Sequence, residues 1–220
     1  MRILRQSAAD AILVALREEI TSGRRPPLTR LVEADLAERL AVSRTPLRQA
    51  LQQLEAESFV TRPPGGGLTV AGLHAKDVAD LFWLRGILEE AVVAEATRRA
   101  GPKDLRLLDE LVDRMDVMLA HPDLFLGIGR AFHSALADLV GNARTGAILD
   151  HARLHVDRYW AAATSRRPER TALATTQHRG ILAAMHSGDA TGAGRLMRSH
   201  IQAEAEICLE TVRAIEAGEL

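Results

Sequence analysis

Two sets of side chains in this sequence have types and spacing suited to chemistry. The first is Arg44, Thr45 and Arg48, which directly follow Ser43. Arg can hold guanine O6 and N7 in bidentate fashion, and Thr can bond a phosphate or touch a thymine methyl. The second is His133, His178 and His200, each set beside apolar residues at helical spacing. Three inward imidazoles from three different helices can meet inside a bundle. Neutral imidazoles suit Zn or Ni, with open positions left for a carboxylate or water. Each of the three, taken alone, also reads as a satisfied core histidine. His151 and His155 form an i,i+4 pair. No Glu follows the first of them as in zincin-type enzymes, so packing or pocket lining describes them better.

The first set needs a helix start to project it. Ala8, Ala11, Ile12, Ala15, Leu16 and Ile20 form a helical stripe, with Ser7 as cap and Gly23 and Pro26-Pro27 as the stop. A second helix is expected from Leu31 or Val32 to Leu40. After the break at Ala41-Val42-Ser43, a third runs over 44–57 with Leu47, Leu51 and Leu54 inward. Ser43 is its N-cap, and Pro46 sits in the first turn, where a missing N–H does no harm. Two helices joined this way cross steeply, so the second can enter a DNA major groove while its N-terminus favours phosphate. Strands are expected at 59–61 and 68–70. The turn between them, Arg62-Pro63-Pro64-Gly65-Gly66-Gly67, fits neither a helix nor a central strand. The two strands make a hairpin, or wing.

The second set needs a bundle. From Lys76 onward the period is helical, with helices expected over 76–100, 102–120, 123–140, 143–164, 168–187 and 189–217. Gly101-Pro102, His121-Pro122, Gly141-Asn142, Arg167-Pro168 and Gly188-Asp189 separate them. Six antiparallel helices with short connections imply a bundle. The expected fold is therefore mostly α. A winged helix-turn-helix with a small β-hairpin occupies 1–72, an all-helical antiparallel bundle occupies 76–217, and Ala71 to Ala75 link them. Trp83, Tyr159 and Trp160 are expected in the core or a pocket wall.

Composition narrows the function classes. Aromatics are 3% against 47% hydrophobic residues, so the core is aliphatic and favours helices. No apolar run approaches the roughly 20 residues that cross a bilayer. The single cysteine, Cys208, has no internal disulfide partner. Together with an N-terminus that lacks a cleavage-site signature, this points to the cytoplasm. Net charge is −1, and the halves differ only slightly. Residues 1–70 hold ten Arg and eight acidic residues, for +2; the rest holds 18 basic and 21 acidic residues, for −3. That permits phosphate binding by the first half without announcing it.

The run Leu36-Ala37-Glu38-Arg39-Leu40-Ala41-Val42-Ser43-Arg44-Thr45-Pro46-Leu47-Arg48-Gln49-Ala50-Leu51, followed by Leu54, Glu55 and Phe59-Val60, resembles the signature of GntR-family bacterial regulators over residues 8–70. The resemblance implies DNA contacts at Arg44, Thr45 and Arg48 with Ser43, and a minor-groove wing tip at Gly65 and Gly66. Two positions depart from the pattern. Ala34 stands where the family often has Arg, which removes one contact that Arg30 is a candidate to replace. Ser58 stands where a Gly is usual before the first wing strand. Asp77 to Ala100, with the three His motifs, is similar to the FCD effector domain of the FadR-like subgroup, in its six-helix, VanR-like version. In metal-binding members the ligands are three His and an Asp four residues before the first; that position here is Gly129. The resemblance implies a three-His site for a divalent metal such as Zn or Ni, with a position that an organic acid can fill. Arg85 matches a family position near the pocket. It can pair with that acid or with Glu89 at i,i+4. Asn142 and His155 are further effector candidates, although Asn142 reads first as the cap of the next helix.

The function expected is a ligand-responsive DNA-binding regulator, a homodimer on a pseudo-palindromic double-stranded operator and modulated by a small carboxylate. A His-rich helical metalloenzyme and a ligand-free helical interaction module are the alternatives. No carboxylate stands at a spacing that marks it as general base for the former.

Overall fold

Ser7 starts the first helix as its position predicts. Its Oγ accepts from the Asp10 backbone N–H at 3.1 Å, and Asp10 Oδ2 accepts from the Ser7 N–H at 3.2 Å, a reciprocal capping box. The computed structural model describes residues 7–164 and 170–219. The expected helix break at Arg167-Pro168 lies outside them. The chain divides into two compact units, Met1–Leu73 and His74–Leu220.

In the first unit, helices α1 (Ala8–Thr21), α2 (Glu33–Arg39) and α3 (Arg44–Ala56) pack with strands β1 (Arg30–Leu31), β2 (Val60–Thr61) and β3 (Leu68–Val70). Ile12, Leu16 and Ile20 of α1 are buried with Leu47, Leu51 and Leu54 of α3 and with Phe59, so the apolar stripes read from sequence form one core. The sheet holds three strands, not two, in the order β1-β3-β2, all antiparallel, with Arg30 opposite Thr69 and Val60 opposite Val70. The extra strand occupies Arg30–Leu31, so α2 begins two residues later than Leu31. Ala41, in the break before α3, and Ser58, before β2, both have positive φ, +52° and +61°. The Ser58 value explains why a glycine suits that position better.

The second unit contains α4 (Ala75–Arg99), α5 (Pro102–Val117), α6 (Pro122–Val140), α7 (Ala143–Thr164), α8 (Arg170–His186) and α9 (Ala190–Glu216). Gly141, at φ +67°, ends α6 in the left-handed conformation. Helices α4 and α9 pack closely through Gly194, where an added Cβ would sit 3.2 Å from the Glu90 carbonyl oxygen. Phe132, Met115, Ile181 and Met197 are fully buried between the helices. No helix among the described residues is long and apolar enough to cross a membrane.

Candidate functional site

The start of α3 presents one polar face. Ser43, Arg44, Thr45 and Arg48 are exposed, while Leu47 and Ala50 are buried beneath them. Ser43 occupies the N-cap position, but its side chain makes no capping hydrogen bond. That hydroxyl and the first-turn N–H groups of α3 therefore face outward together. Arg48 Nε donates to Glu33 Oε2 at 2.7 Å across the helix pair. The wing turn closes with the Gly66 N–H donating to the Pro63 carbonyl at 2.9 Å. Gly66 and Gly67 have φ of +78° and +85°, and nothing lies within 4 Å of a Cβ added at Gly65 or Gly66. The Arg30 guanidinium packs beside the wing, 3.6 Å from a Cβ added at Gly67. Of the residues near the missing Ala34 contact, Arg30 thus lies on the wing side.

The three histidines come together. One ring nitrogen from each of His133, His178 and His200 lies within 4.8 Å of the other two, and all three residues are buried. Each Nδ1 has an acceptor. His133 Nδ1 is bonded to Glu89 Oε2, His178 Nδ1 to the Ala174 carbonyl at 2.7 Å, and His200 Nδ1 to Gln177 Oε1 at 2.9 Å. These partners assign the proton to Nδ1 and leave each Nε2 with a free lone pair. The Nε2 atoms of His133 and His178 are 3.4 Å apart. Two nitrogens on one tetrahedral ion stand roughly 3.3 Å apart, so the spacing fits. His200 Nε2 is buried without a hydrogen-bond partner among the described residues. Burial, then the neighbouring His200 and His133, hold His178 well below the usual imidazole pKa; burial, then His133 and Arg85, do the same to His200. Both are therefore neutral, the form that ligates a metal.

Behind the imidazoles lies a buried charge cluster. Arg85 Nε donates to Glu89 Oε1 at 2.8 Å, and its Nη1 donates to Glu204 Oε2 at 2.9 Å. Burial alone would raise the Glu89 carboxyl, but Arg85 and then His133 outweigh it and hold it well below the usual range. Glu204 Oε1 stands 3.4 Å from His200 Nε2. A carboxylate therefore sits beside the histidines although Gly129 supplies none.

A cavity of about 40 Å³ adjoins this cluster. Gly129, Arg130, His133, Arg153, Asp157 and Trp160 are among its walls.

The structure corrects several expected roles. Arg85 lines the cavity, but its contact with Glu89 is a buried ion pair, shared with Glu204, and not a surface one. Asn142 is a cap: its Oδ1 accepts from the Arg144 and Thr145 N–H groups, each at 3.2 Å, and it does not line the cavity. His155 is absent from the cavity wall as well. The phase of α7 turns Arg153, Val156, Asp157 and Trp160 inward, and His155 packs edge-on against His151 with ring centroids 5.2 Å apart. Trp83 is neither core nor pocket wall but 67% exposed. Sequence reasoning passed over Glu204, Arg153, Asp157 and Gln177. The available signal was spacing: Glu204 follows His200 by four, and Asp157 follows Arg153 by four.

Comparison with known proteins matches both units. Residues 8–70 match the model of bacterial regulatory proteins of the gntR family, and residues 80–203 match the FCD domain. The Nta operon transcriptional regulator of Aminobacter aminovorans is 30% identical over 192 residues, 85% of this chain and 88% of that protein. The transcriptional repressor GlaR of Escherichia coli is 29% identical over 198 residues, 84% and 89% of the two chains. In fold, McbR/YncC of E. coli superposes with a TM-score of 0.80 at 21% identity, covering 93% of this chain and 98% of the other. With a helix-turn-helix matched in one unit and an FCD domain in the other, the chain belongs to the GntR family of bacterial regulatory proteins and is a DNA-binding transcription regulator, not an enzyme.

Proposed function

We propose that residues 1–72 bind a pseudo-palindromic operator as part of a homodimer, with Ser43, Arg44, Thr45 and Arg48 in the major groove and Gly65 and Gly66 at the minor groove. In the same reading, residues 76–217 form the dimer and sense a small organic acid held with a divalent metal, Zn or Ni, on His133, His178 and His200. The cytoplasm is where such a regulator meets its DNA. The observation that carries the sensing half is the convergence of three buried imidazoles, each with its Nδ1 held by an acceptor. When bound, a divalent ion supplies a positive centre for a carboxylate oxygen. Glu89, the Ala174 carbonyl and Gln177 orient the three rings, and Glu204 adds negative charge next to His200. An effector then acts by its differential affinity for two arrangements of the dimer.

Elemental analysis and thermal melts test the site. Zn or Ni is expected to co-purify and to raise the melting temperature of the wild type but not of His178→Ala, because a ligand of the folded state stabilises it by mass action. No retained metal and no shift in either protein would refute the metal reading. Gly129→Asp restores the family carboxylate at a position where an added Cβ meets nothing within 4 Å. It is expected to tighten metal binding on the order of tenfold or more, read by competition with a chromophoric chelator. Unchanged or weaker binding would remove position 129 from the ligand shell.

Dimerisation has a face to use. Trp83, Leu84 and Ile87 are 67%, 37% and 38% exposed along one side of α4, an apolar strip of the kind that marks protein contacts. Paired recognition helices must match half-sites about 34 Å apart, which requires a two-fold partner. Trp83→Glu combined with Ile87→Glu is expected to give a monomer by light scattering, with weakened operator binding. A variant that remains a dimer would assign the interface elsewhere.

A further inference from the structure

The cavity wall on α7 carries two buried polar groups that the histidine site does not use. Arg153 is 5% exposed. Its Nη1 donates to Ser134 Oγ and to Asp150 Oδ1, both at 3.0 Å. Its Nε and Nη2 have no hydrogen-bond partner among the described residues. Those two nitrogens form one edge of the guanidinium, the edge whose parallel N–H bonds match a carboxylate. Asp157, one turn on, is also 5% exposed, and its Oδ2 makes no hydrogen bond among the described residues. Arg130 Nη1 stands 3.2 Å from that oxygen, from a side chain that is 47% exposed. Opposite charges at i,i+4 on a buried helix face ordinarily pair, yet no Arg153–Asp157 contact within 4.0 Å exists among the described residues. Both instead line the same cavity, beside Trp160 and next to the bare backbone of Gly129.

A buried guanidinium edge without partners is costly, and the cost is relieved when a complementary group enters. Near Asp157 the requirement has the opposite sign, since its oxygen accepts. Phe125, Leu126, Val156, Trp160 and Ala174 form the apolar part of the wall, and Arg85, Arg130, His133, His178 and Glu204 the rest of its polar part. The cavity is small, which limits the ligand to a short chain.

We infer that Arg153 and Asp157 form the recognition pair for the effector, a short-chain carboxylic acid bearing a hydrogen-bond donor, hydroxyl or ammonium, on the carbon next to its carboxyl. Arg153 grips the carboxylate through Nε and Nη2, and Asp157 Oδ2 accepts from the donor. Arg85 is not the grip, because two glutamates already engage it. This rests on the acid-sensing reading above and assigns its specificity to α7.

Calorimetric titration of the full-length, metal-loaded protein with butanoate, 2-hydroxybutanoate and 2-aminobutanoate tests the pair. One of the substituted acids is expected to bind the wild type more tightly than butanoate, and which one does so identifies the donor. Arg153→Lys keeps the charge but lacks the planar fork, and is expected to lose roughly tenfold to a hundredfold in affinity for the preferred acid. Asp157→Leu, which has no acceptor, is expected to keep butanoate affinity and lose the preference for the substituted acid. A helical circular-dichroism spectrum and a cooperative melt of each unliganded variant establish that it folds; Arg153→Met serves if Arg153→Lys does not. Equal binding of all three acids by the wild type, or undiminished binding by the Arg153 variant, overturns the assignment while leaving an acid sensor intact. Binding of none of the three also overturns it. If metal stabilises the wild type and not His178→Ala in that case, the histidine site survives; without that response, the sensing reading falls with it.

Discussion

Arg85→Met is expected to destabilise the protein by about 3–5 kcal/mol, the usual consequence of removing one partner from a buried ion pair. Arg85 is 2% exposed and bridges Glu89 on its own helix with Glu204 on α9. Its removal leaves two carboxylates in a low-dielectric interior without their cation. The loss is in desolvation and not in packing, because Met fills most of the arginine stem's volume. The triple change Arg85→Met, Glu89→Gln, Glu204→Gln removes all three charges and is expected to recover part of the stability. Urea denaturation of the three proteins measures this. A triple variant as unstable as the single one would mean that the arginine stem, and not its charge, holds α4 to α9. Metal affinity is expected to fall in Arg85→Met as well. Arg85 is the largest influence holding the Glu89 carboxyl down against burial, and Glu89 orients His133. Without Arg85 that carboxyl protonates at higher pH and orients the imidazole less firmly.

The second large effect lies in the first unit. Arg44→Ala and Arg48→Ala are each expected to cost roughly 1–3 kcal/mol of specific operator binding, and the double change more than either alone. Stability should hardly move. The Arg48–Glu33 ion pair has side chains 61% and 34% exposed, and exposed pairs contribute little. Fluorescence anisotropy on an operator selected from random duplexes reads the loss. Full affinity in the double variant would take α3 out of the groove. Glu33 adds a control. Each DNA contact by Arg48 must replace its bond to Glu33, so Glu33→Gln is expected to strengthen binding, and more so for arbitrary DNA than for the operator.

The helix-turn-helix was legible because its determinants are local. A cap, a three-residue break, a proline in the first turn and apolar residues at 47, 51 and 54 all fall within a short window. Strand β1 was not legible, because two residues carry no period and their pairing with β3 depends on chain almost 40 residues away. The three histidines were found by type and apolar company. Their side-chain partners were not, because Gln177 and Glu89, which orient the rings, and Glu204, beside His200, look on paper like residues of a solvated helix face. The phase of α7 misled in a specific way. His155 was singled out as a residue type rich in chemistry, yet Arg153 and Asp157, two positions to either side, face the cavity. Trp83 was placed inside on the general habit of tryptophan, but it is exposed.

Helix α4 puts these findings at the same height on one rod. Arg85 and Glu89 face the histidines, while Trp83 and Ile87 face outward. Each pair is offset from the other by two residues, about 200° around the helix axis. Whatever displaces the inner pair therefore reaches the outer pair across a single helix diameter, roughly 10 Å. No relay through a chain of intervening side chains is required, and a rotation of α4 by a few degrees would be felt on both faces at once. In the proposed reading, occupancy of the interior would reach the outer strip through the roll of this one helix.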